Sequence, residues 1–353
     1  MTNDYVPPII DRAFGAESRR QLLEEYFATA GNVTPKNAWK HAYFLLLWID
    51  RTIGLAHCYE SDKSQPGRPW YARSLAFHDW VSSNLGLTPS ELGGKVDWLF
   101  SRGSERLATF LVKQQAERAR LAAQQRAAYE ARGFPEPGED PGIESAVLEE
   151  LKPWLSKPPS QEAMHRLVQR IRTLLSQENK RKNLVGEGFE DVLAVIIQRI
   201  PGASKLKVSL RPLLHTLPGF RPPPRNEKPR KVDLAIIGPK RRRVLASVKW
   251  SIRADREEQF GTDFEAYARL EDAGRDFAYV LVTNEFDAAR LTAACERRRQ
   301  NANLFTSVVH VNSQGPLAAY GSELRGSAIR LAEHIESGRL MSLETWLRNL
   351  TAS

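Results

Sequence analysis

The stretch 232-VDLAIIGPKRRRVLASVKW-250 decides the fold of this chain. Its two ends, residues 232–237 and 244–250, are short apolar runs of strand length and composition. Between them, 238-GPKRRR-243 begins with a Gly-Pro turn and continues with four cations. This turn chemistry predicts that the two runs pair as an antiparallel hairpin.

A carboxylate and an ammonium group are predicted to meet at one edge of this hairpin. Because side chains alternate along a strand, Ser247 and Lys249 share one face of the second strand. Asp233, near the start of the first strand, then lies across from Lys249. A carboxylate that holds Mg²⁺, beside an ammonium group that positions or deprotonates water, suits phosphodiester hydrolysis. The alternative is that the two residues form an ordinary structural ion pair.

Apolar runs and helical segments alternate through the rest of the second half. Two helices, over 161–177 and 186–200, precede the hairpin. Further strands are predicted at 277–283 and 307–312, and helical segments around 254–270 and 287–300 separate them from the hairpin and from each other. This order is typical of an α/β fold, with a mixed central sheet flanked by helices.

The first half reads as helix. Helical signals begin at Thr34-Pro35 in residues 34–58 and at a Thr88/Glu91 capping box, and residues 105–132 favour a long exposed helix. The segment 133-GFPEPGEDPG-142 is the strongest boundary signal. We therefore expect an N-terminal all-helical domain over 1–135, a linker over 136–160 and the sheet domain over 161–353.

The composition of the chain indicates which kinds of partner and which cellular location to expect. The 353 residues carry a formal net charge of +9, so nucleic acid is the expected partner and an anionic membrane surface the second choice. Two distant cysteines exclude a disulfide framework and a cysteine-based zinc site. No apolar run has the length of a membrane span and the first residues lack the pattern of a secretory signal, so the expected location is cytoplasmic.

Several of these residues together resemble a known nuclease core. Glu190, Asp233 and 247-SVK-249 are similar to the PD-(D/E)xK pattern, in which a helix glutamate, a strand aspartate and a lysine assemble a metal site. The chain departs from the pattern at Val232, where the family has proline, and at Ser247, where it has an acid.

The second departure is shared by one branch, the type II restriction endonucleases that recognise sites containing CCGG. That branch has Ser-x-Lys in the strand, takes the missing carboxylate from the following helix and has an Arg-x-Asp-Arg element beginning four residues after the lysine. Residues 253–256 read Arg-Ala-Asp-Arg at that distance from Lys249, and the resemblance covers roughly residues 186–312. Asp263 occupies the place of the helix carboxylate, and Glu265 is the competitor. Asp263 is preferred because Glu265 is rotated about 200° from it on a helix.

The Arg-x-Asp-Arg element also has a chemical reading. Arginine reads guanine through O6 and N7, and a carboxylate accepts from cytosine N4. Arg253, Asp255 and Arg256 are thus candidates for reading two adjacent G·C pairs, and a symmetric dimer would read both half-sites. The alternative is a helix start laced with surface salt bridges. The basic segments 221–231 and 240–243 are candidates for phosphate contact.

The resemblance implies a Mg²⁺-dependent type II restriction endonuclease that cuts double-stranded DNA at a palindromic site with a CCGG core and leaves 5′ extensions. It further implies a homodimer or higher oligomer, no membrane partner and a cognate DNA methyltransferase in the same system. The implied catalytic residues are Asp233, Lys249, Glu190, Asp263 and Ser247, and the implied metal ligands are Asp233, Asp263 and Glu190, with Glu265 and Glu187 as alternates. The competing functions are a structure-specific repair or mobile-element nuclease and a non-catalytic DNA-binding module.

Overall fold

The structure, a computed structural model, describes residues 13–130, 132, 140–239, 242–253, 257–273, 276–299, 301–321 and 324–352. It contains two compact units. One includes Ser104–Leu184, and the other combines Phe14–Gly103 with Val185–Ser353. This division differs from the expected one, because residues 14–103 belong to the same unit as the sheet and not to a separate domain over 1–135.

The helices, in chain order, are α1 Ala16–Thr29, α2 Ala38–Leu46, α3 Pro69–Leu85, α4 Pro89–Leu92, α5 Trp98–Arg126, α6 Pro141–Leu151, α7 Gln161–Arg199, α8 Glu257–Leu270, α9 Ala288–Glu296, α10 Gln314–Tyr320, α11 Ser327–Glu336 and α12 Leu343–Thr351. The strands are β1 Ile49–Asp50, β2 Leu55–Ala56, β3 Lys207–Leu210, β4 Leu234–Ile237, β5 Arg243–Lys249, β6 Ala278–Thr283, β7 Arg298–Arg299, β8 Ala302–Asn303, β9 Ser307–His310 and β10 Leu340–Ser342. Across the described part of the chain, no helix combines the length and apolar character needed to cross a bilayer.

The central sheet is mixed, as expected. Six strands lie in the order β10-β9-β6-β5-β4-β3. Strands β3, β4 and β5 pair antiparallel, whereas β5, β6, β9 and β10 pair parallel. The predicted hairpin is confirmed, since β4 and β5 pair antiparallel with Leu234 opposite Ala246. The consequence for function is that β5, β6, β9 and β10 all end at the same edge of the sheet, which we call the carboxyl edge.

Helices cover both faces of the sheet. On one face, Leu245 of β5 and Tyr279 of β6 belong to a buried apolar cluster with Phe260 and Tyr267 of α8. The opposite face carries Trp250, whose ring lies 5.2 Å from that of Phe189 on α7. The even and odd positions of β5 therefore pack against different helices, as the alternation of its side chains requires.

The N-terminal region is not all-helical. The helix expected over 34–58 ends at Leu46, and the hairpin of β1 and β2 follows. Asp50 initiates the turn, since its carboxylate accepts a hydrogen bond from the backbone N–H of Thr52 at 2.9 Å, and Gly54 supplies the positive φ of 71° that the turn needs. Local turn chemistry thus overrides the apolar helical pattern.

Two other helical expectations differ in detail. The Thr88/Glu91 capping box is present, but α4 ends at Leu92, just before Gly93. Conversely, the segments expected as separate helices over 161–177 and 186–200 form the single helix α7. Within the expected linker over 136–160, the described residues include α6.

Candidate active site

The carboxyl edge of β5 brings an ammonium group and a carboxylate into contact. Lys249 Nζ donates to Asp233 Oδ2 at 2.6 Å. The same oxygen accepts from the backbone N–H of Val248 at 2.9 Å and from Ser247 Oγ at 3.4 Å. Asp233 immediately precedes β4, so its side chain extends past the paired part of the hairpin to meet the end of β5. The strand geometry therefore holds the Asp233 carboxylate at a fixed distance from Lys249.

This pair opens on a cavity of about 590 Å³. Asp233, Ser247 and Lys249 line it from the hairpin, and Asp263 lines it from α8. Lys231 also contributes, so one end of the basic segment 221–231 reaches the site. With Glu258 of α8 also in the lining, the cavity places three carboxylates and two ammonium groups around one volume that a ligand can enter.

Glu190 approaches the pair from α7. Its carboxylate is buried, and its Oε2 is bound by Arg211 Nε at 2.6 Å. Burial raises the pKa of Glu190 to about 7, and the nearby Asp233 carboxylate adds to the rise, while Arg211 and Lys249 oppose it. Glu190 does not line the cavity itself, but it is close enough to Asp233 for the two negative charges to interact.

The structure separates the alternative acids. Burial raises the pKa of Asp263, and the Asp233 carboxylate adds to that rise against the opposing effects of Gln259 and Arg230. Asp263 Oδ1 accepts from Gln259 Nε2 at 2.7 Å. Glu265, in contrast, forms an ion pair with Arg299 and does not line the cavity.

Glu187 is likewise engaged elsewhere. Its carboxylate pairs with Arg19 at 2.7 Å and is 63% exposed. Of the two glutamates proposed for α7, only Glu190 is buried beside Asp233.

The base-reading element is described in part. Arg253 lines the cavity and is exposed. Asp255 and Arg256 lie outside the described residues, as do Lys240 and Arg241 of the basic turn.

Arg243, in contrast, is not a loop cation. It is the first residue of β5, is buried, and pairs with Glu271 at 2.9 Å and with Asp276 at 2.6 Å. Its proposed role in phosphate contact is therefore wrong, because its charge is already neutralised inside the protein.

Sequence reasoning missed Arg211. This residue has a positive φ of 48°, an uncommon backbone conformation for a side chain of this size. Its backbone N–H donates to Asp233 O at 3.0 Å, and its guanidinium group binds Glu190 and, at 2.9 Å, Asp191. Arg19 binds the other oxygen of Asp191, so a buried charge network supports the α7 side of the site. No local motif marks Arg211, since its partners lie at distant positions in the sequence.

The described side chains do not form a ready-made metal site with three protein ligands. Among the residues that the structure describes, no three His, Cys, Asp or Glu side chains are grouped closely enough to form a metal site. In comparisons with protein-family models, characterised proteins and solved structures, no match to this chain was found.

Proposed function

We propose that this chain is a Mg²⁺-dependent, sequence-specific DNA endonuclease of the type II restriction class, acting as a homodimer or larger assembly on a palindromic site with a CCGG core. The observation that carries the proposal is the contact of Lys249 with Asp233 at the mouth of a cavity that a second carboxylate, Asp263, also lines. A positively charged chain supports a polyanionic substrate.

The carboxylates fit Mg²⁺ in number and in kind. Proteins commonly bind this ion through one or two carboxylates, with waters and substrate phosphates completing the shell, so a group of three protein ligands is not required. All the described hydrogen bonds to the Asp233 carboxylate go to Oδ2, so its Oδ1 is the oxygen that would bind the ion. Asp233 with Asp263 or Glu190 would hold the ion. When bound, Mg²⁺ would supply positive charge against the scissile phosphate and make a coordinated water more acidic.

The chain's own residues account for the remaining chemistry. The Lys249 ammonium group orients the attacking water and stabilises the negative charge that develops as the water oxygen attacks phosphorus. The proton of that water passes to solvent, the bond to the leaving oxygen breaks, and the leaving oxygen takes a proton from solvent. Ser247 Oγ, 3.4 Å from Asp233 Oδ2, helps to orient that carboxylate. Arg253 lines the same cavity, so this arginine would contact DNA beside the cutting site.

The direct experiment is digestion of plasmid DNA in the presence and absence of Mg²⁺, followed by run-off sequencing of the ends. We expect discrete fragments, a CCGG core at every end and 5′ extensions. An Asp233→Asn variant purified in parallel controls for contaminating nuclease. A ladder without sequence choice would favour a structure-specific nuclease, and intact plasmid at every Mg²⁺ concentration would contradict an endonuclease.

A second candidate, a non-catalytic DNA-binding module, is favoured by one observation. Lys249 forms an ion pair with Asp233, and Arg211 forms one with Glu190. The two carboxylate charges can therefore be neutralised without a metal ion. The same digestion separates the two functions, because the module would bind the plasmid and leave it intact with Mg²⁺ present.

A further inference from the structure

A second cavity lies on the same edge of the sheet as the candidate active site. Its volume is about 660 Å³, and its lining includes Asn312, just after β9, and Ser342, at the end of β10. Strand register connects the two places, since Lys249, Thr283, His310 and Ser342 are successive partners across four neighbouring strands. With strands about 4.8 Å apart, Ser342 lies roughly 14 Å along the edge from Lys249.

The charged side chains of this second cavity that lack an ion-pair partner among the described residues are lysines. Lys36 and Lys40 line it, and no described acidic side chain pairs with either of them. Lys40 Nζ instead lies 5.5 Å from the ring centre of Trp39, which also lines the cavity. The one acid in the lining, Glu344, is neutralised by Arg348 at 2.7 Å. The cavity therefore favours an anion.

Three asparagine side chains of the cavity each make a hydrogen bond within the protein. Asn37 Oδ1 accepts from the backbone N–H of Thr34 at 2.7 Å, and Asn312 Oδ1 accepts from that of Gln314 at 3.1 Å. Asn84 Nδ2 donates to the carbonyl of Trp80 at 2.8 Å. Among the charged side chains of the described lining, Lys36 and Lys40 have no ion pair, so they are the charges available to a ligand. Lysine acts on phosphate as a point charge without base preference.

We propose that Lys36 and Lys40 bind the sugar-phosphate backbone of duplex DNA that extends away from the cutting site. The inference rests on the proposed function, because it takes DNA to be the ligand at the carboxyl edge. Duplex DNA carries one phosphate per strand for about every 3.4 Å of its axis. A duplex that presents a phosphate to Lys249 and follows this edge places backbone about four base pairs away at the second cavity. The contact adds affinity on every sequence and contributes nothing to site choice.

The chain offers a matched control pair. Lys205 and Lys207 are exposed lysines in the same compact unit. Lys207 pairs with Ile237, which in turn pairs with Arg243 at the start of β5, so it lies at the edge of the sheet opposite Lys249. Replacing either pair removes two positive charges, and only the position differs.

The test measures binding of wild type, Lys36→Ala/Lys40→Ala and Lys205→Ala/Lys207→Ala to a fluorescent duplex of random sequence. Chelator is present so that no cleavage occurs, and the salt concentration is varied. We expect the slope of log affinity against log salt to become shallower by roughly one to two for the Lys36/Lys40 variant. The control variant keeps the wild-type slope. On a duplex containing the cutting site, the Lys36/Lys40 variant loses affinity by the same factor as on random sequence.

Two results would overturn the inference alone: a wild-type slope in the Lys36/Lys40 variant, or an equal loss in the control, while wild-type protein still binds and cuts DNA. Failure of the wild-type protein to bind any duplex would overturn both this inference and the proposed function.

Discussion

Strand β5 begins and ends with a cation, and the two ends have opposite surroundings. Arg243, at the first position, is 8% exposed and pairs with Glu271, which is 1% exposed. Lys249, at the last position, is 37% exposed and pairs with Asp233, which is 25% exposed. Both side chains project from the same face of the strand, because they are six residues apart.

The difference lies in how completely each charge is satisfied. Arg243 binds a second carboxylate on Asp276, lies near the carbonyls of Pro218 and Gly219, and has its guanidinium carbon 5.5 Å from the ring centre of Phe220. Among the described residues, Lys249 has Asp233 as its single partner and faces a cavity. A buried cation paired with two carboxylates stabilises the fold, whereas a partly exposed ion pair beside a cavity is available to a substrate.

Replacing Arg243 removes the cation from the buried end of β5. Arg243→Met leaves the Glu271 carboxylate buried without its partner, so we expect a loss of about 3–5 kcal/mol in the free energy of unfolding. Urea denaturation measures the loss. An unchanged unfolding midpoint would show that Arg243 is not the structural member of the comparison.

His310 extends the comparison to pH, since it lies in the same row as Lys249 but is fully enclosed. Its Nε2 donates to the carbonyl of Glu285 at 2.9 Å and its Nδ1 accepts from the N–H of Asn312 at 3.0 Å, so the neutral ring satisfies both neighbours. Burial lowers the pKa of His310 to about 4.

In the unfolded chain the His310 ring is protonated below about pH 6.5, whereas in the folded chain it is protonated only below about pH 4. We therefore expect the free energy of unfolding to decrease as the pH is lowered from 6.5 to 4, by up to about 3 kcal/mol in total. His310→Gln flattens this part of the pH profile of urea denaturation, and His165→Gln, at a half-buried position, does not. A profile with the same slope in His310→Gln would assign the pH dependence to other groups.

The two α8 acids that compete for the role of metal ligand, Asp263 and Glu265, provide a sharper test of the open end of β5. Asp263→Ala removes a carboxylate from the cavity wall, so we expect single-turnover cleavage to slow roughly 10- to 100-fold. Glu265→Ala removes only a surface pair with Arg299 and should leave the rate within about twofold of wild type. The reverse order of effects would transfer the role to Glu265.

Arg211 should give the smallest effect, because it acts through Glu190. We expect Arg211→Met to raise the Mg²⁺ concentration needed for half-maximal cleavage by roughly tenfold, with partial recovery in Arg211→Lys. A merely structural role for Arg211 would lower the unfolding midpoint and leave the Mg²⁺ dependence unchanged.

The sequence predicts the sheet well because its signals are local. The composition of 244–250 and the Gly-Pro turn identify the hairpin, and alternation along its second strand puts Ser247 and Lys249 on the face that meets Asp233. The register aligns Asp233 with Ser247, two residues before the predicted partner Lys249. The resemblance to the CCGG-recognising branch implies a helix carboxylate at Asp263, and the structure places that acid on the cavity wall.

What the sequence could not supply depends on distant contacts. Arg243 looks like one more cation of a basic turn, and only its pairing with Glu271 reveals a buried structural residue. Arg211 binds Glu190 across 21 positions of sequence and Arg19 reaches Asp191 across 172. The assignment of residues 14–103 to the sheet unit is missed for the same reason, since contacts such as Tyr43 Oη to Asn284 Oδ1 leave no local pattern.

The central claim is that the open end of β5 performs chemistry, and Lys249→Met tests it most directly. In single-turnover cleavage of plasmid DNA with saturating Mg²⁺, we predict a rate at least about 100-fold below wild type, from a protein with wild-type DNA affinity and unfolding midpoint. Cleavage at the wild-type rate by that folded, DNA-binding variant would contradict the account.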